Sequence, residues 1–205
     1  MQNPAPPTPV APSSIYQLTS IITRLDVPAL FPSTQPLEVE LGSGDGSFLA
    51  NYAQLHPGRN FLGVERLLGR LRKLDRKTRR LNLTNLRGLR IESAYFLEYL
   101  LPAQTVSALH IYFPDPWPKR KHRKNRLINA RFTELAHQAL IHGGVVYLRT
   151  DDEDYFKQMV EVFSGNTTFS LTETPDELSA VATDFERNFQ ARGVATLRAA
   201  YKKAA

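Results

Sequence analysis

From Leu37 onward the chain alternates short apolar runs with amphipathic ones, and that alternation restricts the fold more than any other feature. LEVEL (37–41), NFLGVE (60–65), LRGLRI (86–91), VSALHIYF (106–113), GGVVYLRT (143–150), TTFSLTE (167–173) and GVATLRAAYK (193–202) read as seven strands. Helix patterns fall between the first five, over about 46–56, 66–80, 94–100 and 129–141, and another covers 152–163. Such alternation implies an α/β domain with a mostly parallel sheet, helices on both faces, and ligands outside the C-terminal ends of the strands. The fourth run is nearly all apolar, as a central parallel strand should be. The last two runs have no long helix between them, which predicts an antiparallel hairpin at the sheet edge.

The 66–80 helix places Leu67, Leu71, Leu74, Thr78 and Leu81 on one stripe and its Arg and Lys residues elsewhere. Residues 15–25 (IYQLTSIITRL) read as a short lead-in helix. Residues 1–14 hold five of the 14 prolines and little to bury, so they are expected to be a flexible tail preceding a single domain at 15–205.

Charge is unevenly placed. Residues 66–90 carry ten Lys/Arg and one acid, residues 119–131 carry seven Lys/Arg and none, and the rest of the chain is net acidic although the whole is +6. Two cationic patches on an acidic body suit a polyanion, because a phosphate backbone rewards clustered Lys/Arg through counterion release. The absence of cysteine excludes disulfides and thiolate metal sites, and the five histidines form no HxxxH or HxH pair, so no metal is expected. No run has the roughly 18–20 apolar residues a membrane helix needs, and the first residues do not read as a secretory signal. A cytoplasmic setting is expected.

The first strand ends in Glu40-Leu41-Gly42-Ser43-Gly44-Asp45-Gly46. Glycines here admit positive φ and let backbone pass close to a ligand. Their spacing is GxGxG, whereas a dinucleotide fold uses GxGxxG with a helix N-terminus for the pyrophosphate. Glu40 would repel a diphosphate but suits a ligand bearing sulfonium and ammonium groups. Glu65, at the end of the second strand, stands where an acid accepts both ribose hydroxyls. Together these features indicate S-adenosylmethionine and disfavour a nicotinamide oxidoreductase.

The fourth strand runs into Phe113-Pro114-Asp115-Pro116-Trp117-Pro118 and then six Lys/Arg between Lys119 and Arg126. Prolines on both sides limit the backbone freedom of Asp115, a rigid way to aim a carboxylate; Trp117 either stacks on a base or caps the core. This segment, with ELGSGDG, FLGVE, Thr150-Asp151 and Thr183-Asp184-Phe185-Glu186, closely resembles the bacterial tRNA (guanine-N7)-methyltransferase family over roughly residues 37–202. The resemblance implies a Rossmann-like class I methyltransferase fold with a seven-stranded sheet. It also implies methyl transfer from S-adenosylmethionine to N7 of a tRNA guanine, that of the variable loop, by a monomer or homodimer with tRNA as partner. It assigns Glu40, Gly42, Gly44, Gly46, Glu65 and Asp115 to the cofactor, Asp115 also to catalysis, and Lys119, Asp151, Thr183 and Glu186 to substrate. After the third strand the family usually carries Asp or Asn facing the adenine; here either Ser93 or Glu92 fills that place.

Some of these residues have plainer readings. Asp152, Glu153 and Asp154 in a first helical turn are ordinary macrodipole partners, which leaves Asp151 as the functional candidate. Thr183 and Glu186 share the spacing of a capping box. Two other functions remain open: a non-catalytic RNA-binding subunit, against which the intact Glu40, glycines, Glu65 and Asp115 argue, and a methyltransferase acting on another RNA base. Amino-methylating enzymes are similar to one another in an N/D-P-P-aromatic motif, and the Asp-Pro-Trp order here departs from it.

Overall fold

In the computed structural model, which describes residues 12–204, the seven runs form strands at Leu37–Leu41 (β2), Asn60–Val64 (β3), Leu86–Leu89 (β4), Val106–Tyr112 (β5), Leu140–Thr150 (β6), Phe169–Thr172 (β7) and Leu197–Lys203 (β8). An eighth, Ile15–Tyr16 (β1), precedes them. Helices lie at Ser47–Leu55 (α1), Leu68–Arg80 (α2), Ser93–Tyr95 (α3, continuing as a π-helical turn over Phe96–Leu100), Ala130–Ala139 (α4), Glu153–Ser164 (α5), Asp176–Ala180 (α6) and Asp184–Gln190 (α7). The sheet order is β1-β4-β3-β2-β5-β6-β8-β7. β8 is antiparallel to both of its neighbours and the other pairs are parallel. The sheet thus has eight strands rather than seven, and its antiparallel edge is joined by two short helices.

Strand alternation sorts the two faces. Val39, Leu41, Leu109, Ile111, Val146 and Leu148 pack with Phe96, Phe132, Tyr155 and Phe163 in one core, under α3–α5. Phe48, Leu49, Tyr52 and Leu74 cover the other face with α1 and α2. Onto that second face β2, β5 and β6 also deliver Glu38, Glu40, His110 and Arg149, all buried. His110 sits 2.7 Å from Glu38 Oε2 and 2.7 Å from the Tyr112 hydroxyl. The nearly apolar appearance of 106–113 conceals a strand with one apolar and one polar face.

Helix α2 lies close to the sheet because Gly63 and Gly88 leave room: a Cβ there would approach Leu74 Cδ1 and Leu71 Cδ1 to 2.8 Å. Leu71 and Leu74 are fully buried, each worth about 2 kcal/mol over an exposed position. Leu67 departs from the expected stripe; it is the N-cap, 46% exposed. Asp75 takes part instead, accepting hydrogen bonds from Ser13 Oγ, Ser14 N and Ser14 Oγ.

That anchor changes the reading of the N-terminal segment. Ser13 and Ser14 are bonded to α2 rather than belonging to a free tail, and residues 1–11 lie outside the described residues. The lead-in helix expected at 15–25 does not form. Ile15 and Tyr16 pair with Gly88 and Leu89 of β4, and a bend follows in which Ser20 Oγ accepts from Ile22 N and Thr23 N. The β-branched residues are poor helix formers, hydroxyl-to-backbone bonds compete with helix, and exposed Ile21 and Ile22 supply no buried stripe.

Candidate active site

β2 pairs with β3 on one side and β5 on the other, so chain order reverses between β2 and β5. Ligands of open α/β sheets bind at such a switch point, beyond the strands' C-terminal ends. The segments leaving those two ends are the glycine turn after β2 and the Pro-Asp-Pro-Trp loop after β5, and between them lies a cleft made of two cavities. One, of about 280 Å³, is lined by Gly42, Glu65, Ile91, Glu92, Ser93, Asp115 and Trp117 among others. The other, of about 380 Å³, is lined by Glu40, Gly42, Ser43, Gly44, Asp115, Asp151, Thr183 and Phe185 among others.

The glycine turn is held by Gly42 N and Ser43 N donating to Val64 O, each at 2.9 Å. Gly42 and Gly44 take φ of 82° and 56° with nothing within 4 Å of an added Cβ, so the backbone faces open space. Gly46 works differently. Its φ is 72° and a Cβ would meet Leu74 at 2.6 Å; it seats α1 against α2 and lines neither cavity. Helix α1 starts there with a glycine N-cap, and the carboxylate of Asp45 stands at its positive end, accepting from Ser47 N at 3.1 Å.

Glu65 is buried, accepts from Gly44 N at 3.1 Å and Leu67 N at 2.7 Å, and lies 4.0 Å from Arg70. These bonds leave lone pairs on both oxygens. Glu40 is buried and its Oε2 has no hydrogen-bond partner. Burial pushes its pKa up to about 8, with Asp45 and Glu65 adding and Arg149 opposing. An unpartnered buried acceptor is costly, and a cationic group in the cavity would satisfy it. Ser43 Oγ is a second unpartnered buried atom at the same wall. The residues present therefore fit S-adenosylmethionine.

The Asp115 loop is more constrained than its prolines alone imply. Phe113 and Trp117 adopt φ of 50° and 45°, a left-handed conformation costing about 1–3 kcal/mol for such residues. Phe113 N donates to Arg149 O at 2.8 Å. Arg126, 2% exposed, donates from Nε to Pro116 O at 2.7 Å and from its other nitrogens to Gln158 and Asp154, while its guanidinium lies 4.7 Å from the Tyr155 ring centre. Arg126 thus pins the loop instead of joining its solvent-facing charges. Asp115 is exposed and lines both cavities.

Glu40, Gly42, Gly44, Glu65, Ser93, Asp115, Asp151 and Thr183 meet in this cleft. Gly46, Lys119 and Glu186 do not line it. Lys119 is exposed at the head of a 3-10 helix spanning Arg120–Asn125. Glu186 is fully buried: it closes a capping box with Thr183, and its oxygens bind Arg149 at 2.9 Å and Arg198. Burial would raise its pKa, but the Arg198 hydrogen bond and the two guanidinium charges hold it below the usual value. Glu92 accepts from Ala94 N and Tyr95 N as a helix cap, which leaves the Ser93 hydroxyl as the uncommitted group. Asp152 caps α5. Sequence reasoning missed Arg70, which lines both cavities, and buried Arg149. The alternation V-Y-L-R in β6, matched to E-V-E in β2, was the available signal for Arg149.

The sheet, its switch point and this cleft define a class I methyltransferase architecture. Solved structures share the fold: the 16S rRNA methyltransferase KamB superposes with a TM-score of 0.61 at 14% identity, over 83% of this chain and 89% of that one. A 30S ribosomal A1408 methyltransferase from an uncultured bacterium gives 0.57 at 21% identity, over 82% and 87%. Residues 34–199 match the model of the family described as "Putative methyltransferase". A tRNA (guanine-N(7)-)-methyltransferase of Treponema pallidum (strain Nichols) is 36% identical over 92% of this chain and 75% of its own length. Those of Nitrosospira multiformis and Rubrobacter xylanophilus are each 37% identical over 72% of this chain. The chain belongs to the tRNA (guanine-N(7)-)-methyltransferase family. It spans 65% and 66% of the length of the last two relatives. Among the described residues no helix is long and apolar enough to cross a membrane, and no cluster of three or more His, Cys, Asp or Glu could hold a metal.

Proposed function

We propose that the protein transfers the methyl group of S-adenosylmethionine to N7 of a guanine in tRNA, that of the variable loop, in the cytoplasm. The observation that carries this reading is the meeting of Glu40, with its unpartnered oxygen, and Asp115, on its rigid loop, in one cleft at the switch point.

The cofactor supplies an electrophilic methyl on a sulfonium. Glu65 would hold the ribose hydroxyls through its free lone pairs, Ser93 would face the adenine, and Glu40 with the glycine turn would hold the amino-acid end. Guanine N7 bears an exposed lone pair and no proton, so no general base is required. What the site must supply is orientation. Asp115 is suited to accept from guanine N1–H and the exocyclic amine, which locates N7 and favours positive charge developing on the purine. Asp151 and Thr183 line the same cavity and complete its grip. Glu186 acts through Arg149 and Arg198, holding α7 at the rim. Lys119 and the cations beyond it would hold phosphate near the reacting base.

The test is label transfer from methyl-labelled cofactor to unmodified tRNA, to ribosomal RNA and to DNA. Label confined to tRNA and recovered as 7-methylguanosine is the expected result; transfer to rRNA or DNA alone, or binding of tRNA without transfer, would overturn the reading.

A further inference from the structure

One large apolar ring stands in the cleft half open. Phe185 is 50% exposed and lines the cavity of Glu40, Asp115 and Asp151. A solitary exposed phenylalanine on an open surface is ordinary, but this one has company. Phe113 lies 6.3 Å away with the rings inclined by 29°, and Phe189 is 5.6 Å from Phe113. Strict strand alternation would send Phe113 to the face opposite Tyr112. Its left-handed backbone brings it to the same side, where both pack with the α1 face. Backbone strain is therefore spent on delivering a ring to the cavity wall.

Phe185 is also held rigidly. It lies between Asp184, whose N–H contacts Ser47 Oγ at 3.4 Å, and Glu186, whose carboxylate is locked by Arg149, Arg198 and the capping box. An uncharged ring on a fixed helix beside an aimed carboxylate matches one ligand chemistry: a flat base that offers a π-face to the ring and polar edge groups to Asp115. The adenine of the cofactor does not compete for this place, because Glu65 and Ser93 line the other cavity.

We infer that Phe185, backed by Phe113, is the stacking platform for the target purine after it has been turned out of the RNA. This rests on the proposed reaction for the identity of the base. Loss of a base–aromatic stack lowers binding by about 1–3 kcal/mol, so Phe185→Leu, which keeps apolar bulk without a π-face, should lower kcat/KM for tRNA about 5- to 150-fold. Cofactor affinity measured by calorimetry should stay within about twofold. Phe185→Tyr should retain most of the wild-type rate.

A second arm does not depend on methyl transfer. An RNA carrying at the target position a fluorescent guanine analogue that keeps N1–H and the 2-amino group brightens when the base is unstacked, so its complex with wild-type protein should stay dark and its complex with Phe185→Leu should brighten. Equal fluorescence in both complexes, or a Leu variant with wild-type kcat/KM, overturns the platform. Absence of N7 transfer by the wild-type protein would instead count against the proposed reaction while the fluorescence still reports on the stack. Phe185→Tyr guards against misfolding as the cause of a loss.

Discussion

Proton release on cofactor binding follows from the state of Glu40. Its carboxyl is buried without a partner for Oε2 and has a pKa of about 8, raised by burial first and then by Asp45 and Glu65, against the opposing charge of Arg149. Near neutral pH the empty site therefore holds Glu40 mostly as the acid, whereas a cationic cofactor requires the carboxylate. Binding must expel the proton, and apparent affinity scales with the ionised fraction. Affinity should rise close to tenfold per pH unit below about 8 and level off above, a gain on the order of 50-fold from pH 6 to pH 8. The assay is titration calorimetry across that range in buffers of different ionisation enthalpy, with an expected release of nearly one proton at pH 7. Glu40→Gln removes the titration, and comparing it with wild type cancels any contribution from the cofactor's own amine. The variant should bind at the weak, low-pH wild-type level without the rise. Stability runs in the opposite direction. The folded state holds this proton more tightly than the unfolded chain, so stability without cofactor falls as pH rises from about 4.5 to about 8, by at most about 5 kcal/mol. Glu40→Gln should accordingly have the higher Tm at pH 8.5, with the gap closing toward pH 5. A wild-type affinity that is flat with pH, or no proton release at pH 7, would refute this reasoning.

Other outcomes are expected at single positions. Glu65→Ala should weaken cofactor binding by about 1.5–3 kcal/mol, as for lost charge-assisted hydrogen bonds, and unchanged calorimetric affinity would remove Glu65 from the site. Asp115→Ala should cut single-turnover methyl transfer by about 100-fold or more and leave tRNA binding largely intact; a near-normal rate at saturation would end its catalytic assignment. Replacing exposed Lys119, Lys121 and Lys124 together by alanine should lower the slope of log affinity for tRNA against log salt by about 2–3 units, and a wild-type slope would show that the loop does not grip phosphate. Arg126→Leu should lower thermal stability and slow turnover together, because Pro116 O loses its donor; loss of stability with undiminished turnover would show that Asp115 does not depend on that pin.

Much of the layout was readable because strand and helix periods differ so plainly. Every strand from Leu37 onward was found, and the two loops that flank the cleft follow the two strand ends from which they were expected. What escaped were features set by distant partners. The stretch 15–25 has no helical stripe of its own, and its short strand exists only because β4 offers an edge. Arg126 looked like one more loop cation; its burial depends on Tyr155, Asp154 and Gln158, some thirty residues away in sequence. Glu186 and Thr183 were open between substrate and capping box, and the buried Arg149 beside them decides what the Glu186 carboxylate does. Phe113 required a left-handed backbone that no residue type at that position announces.

The reaction itself is tested most directly by mapping the product at nucleotide resolution. Unmodified tRNA is incubated with the full chain and S-adenosylmethionine, then treated with cleavage chemistry selective for 7-methylguanosine and resolved by length. Cleavage at one guanine in the variable loop, appearing about 100-fold or more slowly with Asp115→Ala, is the expected result. Intact RNA after prolonged incubation, or label recovered in an amino-methylated nucleoside, would contradict it.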